Sequence, residues 1–144
     1  SKDMKKGIMK FPKPKKRSST YYRKKCVAHA KKEVRLRDKD TCQYCFKKYP
    51  EVAVHCSHVL PEGAYPLMSD EPYNMIVLCA VHHLSGANPR MGSKEPSWHG
   101  DPMLFAEWFE KKWPGRTKEL REMDLEKRKR IVNWEAKWRV KIIN

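Results

Sequence analysis

The apolar positions of this 144-residue chain change period along its length. Tyr22, Cys26, Ala30 and Val34 recur every fourth residue, which is the spacing of one helix face. Ser18, Ser19 or Thr20 can cap that helix, which runs to about Arg37, because a hydroxyl there accepts a first-turn N–H. The pattern then shortens. Residues 52–60 and 75–78 are brief runs rich in Val, Ile and Leu, of strand rather than helix length. Pro61, Gly63, Pro66 and Pro72 break the segment between them into a loop. After Leu78, the run from Ala80 to Leu84 predicts a short helix stopped by Gly86 and Pro89, and the Gly-, Pro- and Ser-rich stretch to Pro96 reads as loop. Asp101 as cap and Pro102 in the first turn start the next helix, and Pro114-Gly115 end it. Its stripe of Leu104, Phe105, Trp108 and Phe109 is a packing face. A last helix is predicted over residues 117–143, where Leu120, Met123, Ile131, Trp134, Trp138 and Ile142 keep a three-and-four spacing with Lys127 as the polar exception.

Two strands among helices predict an α+β domain over residues 18–116. A tail over residues 1–17 precedes it and an amphipathic helix over residues 117–144 follows. The charge sharpens this division. The chain carries a net +15, of which residues 1–25 hold +10 and residues 111–144 hold +7, while residues 26–110 sum to −2. A near-neutral centre between basic arms suits a polyanionic partner, most simply nucleic acid. Lys13, Lys15, Lys16 and Arg17 in the tail are the candidate phosphate contacts. No apolar run reaches the length of a membrane span and the lysine-rich start lacks the apolar centre of a secretory signal, so a cytoplasmic protein is expected.

Five cysteines, an odd number, stand at 26, 42, 45, 56 and 79. With a C-x-x-C among them and no secretory signal, a metal site is favoured over a disulfide framework. Cys42-x-x-Cys45 and Cys79-x-x-His82 form two pairs, and structural zinc takes four Cys or His ligands, commonly from two such pairs. Cys56 is a rival to His82 for the fourth position. Cys26, on the apolar stripe, reads as a buried small residue, and His29 beside it is assigned no chemistry.

The order His58 at the end of the first strand, Asn74 at the start of the second and His83 on the following helix resembles the ββα-metal core of the HNH endonucleases. The likeness is greatest to the small phage-type, NinG-like members, and it covers about residues 34–109. The run E-V-R-L-R-D-K-D-T-C-Q-Y-C also resembles the lead-in to many HNH domains. The resemblance favours His82 over Cys56 in a zinc knuckle of Cys42, Cys45, Cys79 and His82. It implies a metal-dependent DNA endonuclease in which His58 is the general base, Asn74 fixes the loop and the orientation of His58, and His83 is a ligand of one catalytic divalent cation. An imidazole suits the first role because its ordinary pKa of about 6.5 leaves it neutral and able to take a proton near pH 7.

One position departs from the family pattern. Ser57 stands where an Asp or a second His usually precedes the base, so a second ligand must come from elsewhere. His99, in W-H-G-D-P, is the preferred candidate and His55 the alternative. Magnesium, manganese, nickel and zinc are all compatible with such a site. The competing readings are a zinc-stapled DNA-binding protein without catalysis, for which Ser57 speaks, and an accessory of phage packaging or recombination that uses its C-terminal helix. A monomer with one site would nick DNA; a homodimer could cut both strands of a duplex or a branch.

Overall fold

The computed structural model describes residues 11–13, 15–85 and 95–144. Helix α1 spans Ser19–Arg37, and Ser18 caps it by accepting the Tyr21 N–H at 3.2 Å. Its buried residues are Cys26, Val27, Ala30 and Val34, so the predicted stripe is the packing face except for Tyr22, which is half-buried. The chain leaves α1 through Lys39 and Asp40, both at positive φ, and turns into the segment that carries Cys42 and Cys45.

Strands β1 (Val54–His58) and β2 (Met75–Cys79) pair antiparallel in a two-stranded sheet, with Val54 opposite Cys79 and His58 opposite Met75. Every residue of β2 is buried, because both of its faces are covered. Met75 and Val77 pack against Ala30 and Val34 of α1. Ile76 and Leu78 point the other way, into a cluster with Phe105, Phe109 and Leu120. The period-2 pleat thus divides one apolar run between two cores. The free edge of β2 is also occupied: the Val77 N–H donates to Asp38 Oδ2 at 3.0 Å and its carbonyl accepts the Gln43 N–H at 2.9 Å. Pairing that edge removes a strand-addition hazard and ties the cysteine segment to the sheet.

The predicted loop between the strands contains two 3₁₀ turns, Pro66–Met68 and Pro72–Asn74. Asn74 is fully buried and pins this loop. Its Oδ1 accepts the Leu60 N–H at 2.8 Å, and its Nδ2 donates to the carbonyls of Leu60 and Met68 at 3.0 and 3.1 Å.

Two predicted helices differ in the structure. The segment after β2 is not an α-helix but a single π-helical turn, Val81–Ser85. The wider turn sets His82 toward Cys42 and Cys79 and His83 toward His55. The proposed stops at Gly86 and Pro89 lie outside the described residues. Further on, α2 (Pro102–Lys112) begins as predicted, with Asp101 Oδ1 accepting the Leu104 N–H. Phe105 and Phe109 are its buried residues. Gly115, at φ 82°, makes the sharp corner into α3 (Arg116–Arg128).

The single helix expected over residues 117–143 is instead α3 and a separate α4 (Trp134–Ile143). Asn133 restarts the helix by accepting the Ala136 N–H at 3.0 Å. The break exposes Ile131 completely and turns Trp134 onto α1, where the Cys26 thiol meets its carbonyl. An unbroken helix would have kept Ile131 and Trp134 on the α3 stripe and left α1 uncovered. Lys127, the polar exception in that stripe, reaches Glu71 in the inter-strand loop at 3.3 Å. No helix among the described residues is long and apolar enough to cross a membrane.

Candidate functional site

The segment holding Cys42 and Cys45 is a tight knuckle. The Cys42 N–H donates to the Lys47 carbonyl, the Phe46 N–H donates to the Cys42 carbonyl, and Phe46 takes the left-handed conformation that lets the chain reverse. Cys79 arrives from the end of β2 and His82 from the π-helical turn. The Sγ atoms of Cys42, Cys45 and Cys79 and a ring nitrogen of His82 lie within 4.8 Å of one another, a group that can hold a structural zinc.

The fit can be tested by distance. Zinc–sulfur bonds of about 2.3 Å in a tetrahedron require sulfur atoms about 3.8 Å apart and sulfur–nitrogen pairs about 3.6 Å apart. Cys45 Sγ and Cys79 Sγ are 3.9 Å apart. His82 Nδ1 is 3.9 Å from Cys42 Sγ and 3.1 Å from Cys79 Sγ, values that bracket the ideal. His82 Nε2 faces Glu95 Oε2 at 3.3 Å, the arrangement that leaves Nδ1 as the donor to a metal. Tyr44 covers the imidazole, with ring centroids 4.6 Å apart, and itself packs on Phe105 and Trp108 of α2. Burial, together with the neighbouring sulfurs of Cys42 and Cys45, pushes the Cys79 thiol up to about 12. Three crowded thiols ionise together only with a cation among them. Cys56, the rival ligand, is elsewhere: its Sγ–H donates to the Lys31 carbonyl at 3.4 Å, and the strand pleat turns it toward α1.

A second constellation lies between β1, the π-helical turn and the start of α2. His58, His83 and His99 line one cavity of about 500 Å³. The ring of His58 is oriented from both sides. Its Nε2 donates to the Ser69 carbonyl at 2.8 Å, which places the neutral ring's lone pair on Nδ1, and Nδ1 lies 3.5 Å from Glu62 Oε1. Burial pulls its pKa below the ordinary value, against the opposing pull of the Ser69 carbonyl and the Glu62 carboxylate. Asn74 does not bond the ring; it holds the backbone of Leu60 and Met68 on either side of it. Arg23 of α1 donates to Glu62 and to the Ser69 hydroxyl, and Lys137 of α4 pairs with the buried Asp70 at 2.6 Å. Both flanking helices therefore grip the loop that orients His58.

His83 sits between the two residues considered as its partners. Its Nδ1 is 3.0 Å from His55 Nδ1, and its ring centroid is 4.9 Å from that of His99. Burial first, and then the neighbouring His99, His55 and His58, hold its pKa down at about 4. Its ring is therefore neutral near pH 7. Ser57 is buried and does not line the cavity. Among the described residues, the knuckle is the only group of three or more Cys, His, Asp or Glu donors drawn close enough to hold an ion.

Sequence reasoning missed Glu62 and Arg23. Glu62 stands four residues beyond His58, an acid in a Pro-Gly loop, and that proximity was the available signal. Arg23 carries no local signal, because it meets Glu62 only through the packing of α1. Lys13, Lys15, Lys16 and Arg17 are exposed and lie ahead of α1 without regular structure; Arg17 stacks over Tyr21 at 4.8 Å. They are not drawn into the histidine cavity. Comparison with family models, with curated proteins and with solved structures finds no match to this chain.

Proposed function

We propose that the chain is a metal-dependent DNA endonuclease of HNH type, with a ββα-metal core stapled by zinc. The observation that carries this reading is the convergence of His58, His83 and His99 on one cavity, with Asn74 pinning the loop from which His58 is oriented. The basic arms supply affinity for a polyanion without a role in the chemistry.

Hydrolysis of a phosphodiester requires a base, charge stabilisation and in-line positioning. His58 is the base. With Nε2–H committed to the Ser69 carbonyl, Nδ1 takes the proton of a water whose oxygen bonds to phosphorus as the bond to the leaving sugar oxygen breaks. The Glu62 carboxylate then faces the new N–H and stabilises the imidazolium. His83 and His99 are the residues that would hold the catalytic cation, with His55 the alternative to His99. The His83 ring is neutral near pH 7 and offers a lone pair, so its donor chemistry fits. A divalent ion held there supplies Lewis-acid stabilisation of the phosphate and the leaving oxygen.

A second reading retains the zinc staple and DNA binding but not catalysis, as an accessory protein of packaging or recombination. Buried Ser57, and a histidine cluster less tightly drawn than the knuckle, favour it. Supercoiled plasmid incubated with the protein and magnesium, manganese, nickel or zinc in parallel separates the two. The nuclease reading expects nicked circles with at least one ion. Retarded but intact plasmid with all four would leave the binding protein.

A further inference from the structure

A second cavity, of about 380 Å³, opens on the other side of His83, between α1 and β1. Lys31, Cys56 and His83 line both cavities; Lys32 and Arg35 belong to the second alone. No carboxylate lines this second cavity. Other cations on this side of α1 are already matched, Arg23 with Glu62, Arg35 with Asp40 and Arg37 with Asp38. Lys31 and Lys32 are exposed and form no ion pair among the described residues. The root of Lys31 is fixed to the strand, because its carbonyl accepts the Cys56 thiol.

We propose that the groove between α1 and β1 is a phosphate subsite, in which Lys31 and Lys32 hold the phosphodiester adjacent to the one that is cleaved. The proposal rests on the nuclease reading. The cleaved phosphate belongs in the cavity that contains Nδ1 of His58. A strand continuing over His83 brings its next phosphate into the second cavity, where Lys31, Lys32 and Arg35 supply cations and no carboxylate opposes them. The subsite therefore serves one side of the cleaved bond, because the basic groove lies on one side of His83.

The test uses the full chain and labelled DNA duplexes in which one phosphate is replaced by an uncharged methylphosphonate, with cleavage at each bond mapped on a gel. Removing a charge-assisted contact costs about tenfold in rate at limiting substrate. Cleavage should drop by about that factor at the bond on one side of the neutral phosphate and not on the other. In Lys31→Gln/Lys32→Gln, overall cleavage should fall by a similar or larger factor and the one-sided dip should vanish. Lys31→Arg/Lys32→Arg should restore both, and all three proteins should melt alike, since both side chains are exposed. Wild-type cleavage with a symmetric dip, or a dip that persists in the glutamine variant, overturns the subsite alone. Absence of wild-type cleavage with every divalent ion overturns the nuclease reading, and the subsite with it.

Discussion

Replacing Cys42 and Cys45 by serine removes two of the four donors of the knuckle and leaves Cys79 and His82 facing each other across a buried space. Cys42 and Cys79 belong to the same apolar cluster as Phe105, Phe109 and Leu120, so the knuckle is part of the larger core. Zinc held by the folded chain and not by the unfolded one stabilises the fold by about 4.1 kcal/mol when free zinc is 1,000 times Kd. For a chain of this size each kcal/mol moves the melting midpoint by about 2–4 °C, so loss of the ion alone should lower it by about 8–16 °C. The serine hydroxyls add the cost of polar atoms in an apolar cluster. The assay pairs native mass spectrometry with thermal melts. Wild type should carry one zinc per chain, the double variant none, and chelation of wild type should reproduce most of the loss in melting temperature. Cys26→Ser and Cys56→Ser serve as controls: one is buried and the other bonds a backbone carbonyl, but neither lies in the group. Both should keep the zinc. A double variant that melts cooperatively near wild type, or a Cys56→Ser protein without zinc, would refute the assignment.

Asn74→Ala should lower stability by about 2–4 kcal/mol, because it strands the Leu60 N–H and the carbonyls of Leu60 and Met68 in a buried loop; an unchanged urea midpoint would show the loop is held by other contacts. Deleting residues 1–17 should weaken DNA binding and flatten the slope of log affinity against log salt by roughly 0.9 for each phosphate that the tail engages, with saturating turnover unchanged. Identical slopes for both proteins would leave the tail without a part in binding. The folded pKa of His83, about 4, lies below its unfolded value of about 6.5, so its contribution to stability is full above 6.5 and is lost as pH falls toward 4. In metal-free protein, the stability difference between wild type and His83→Gln should therefore shrink between those two pH values, and a constant difference would contradict the buried neutral ring.

Local signals were legible wherever local chemistry decides the structure. Ser18 and the Asp101-Pro102 pair start helices because their side chains satisfy first-turn N–H groups, and the sequence shows that directly. The two C-x-x-C/H pairs were readable because a tetrahedral ion fixes their spacing. The continuous apolar run of β2 was readable as a strand, though not its division between two cores, which depends on where α1 and α2 pack. The break between α3 and α4 was hidden because the three-and-four spacing runs unbroken through Ile131 to Trp134. Helix continuity loses there to the Asn133 cap and to the burial of Trp134 on α1. His55 stands second to His99 as a partner of His83 in the sequence because a strand histidine reads most simply as a sheet-surface residue; in the fold its Nδ1 is 3.0 Å from His83 Nδ1. Arg23 and Lys31 come to the site only through the docking of α1, which no local pattern records, whereas Glu62 lies four residues beyond His58 in the adjoining loop.

The central claim is that His58 is the base of a phosphodiester hydrolase, and it is tested most directly by single-turnover cleavage of plasmid DNA by wild type and His58→Ala side by side. Both proteins should be zinc-loaded, fully folded by thermal melt, and supplied with the divalent ion that supports the most wild-type nicking. The account predicts equal DNA affinity and a cleavage rate lower by about 10²–10⁴-fold in the variant. Equal cleavage rates in the two proteins would contradict it.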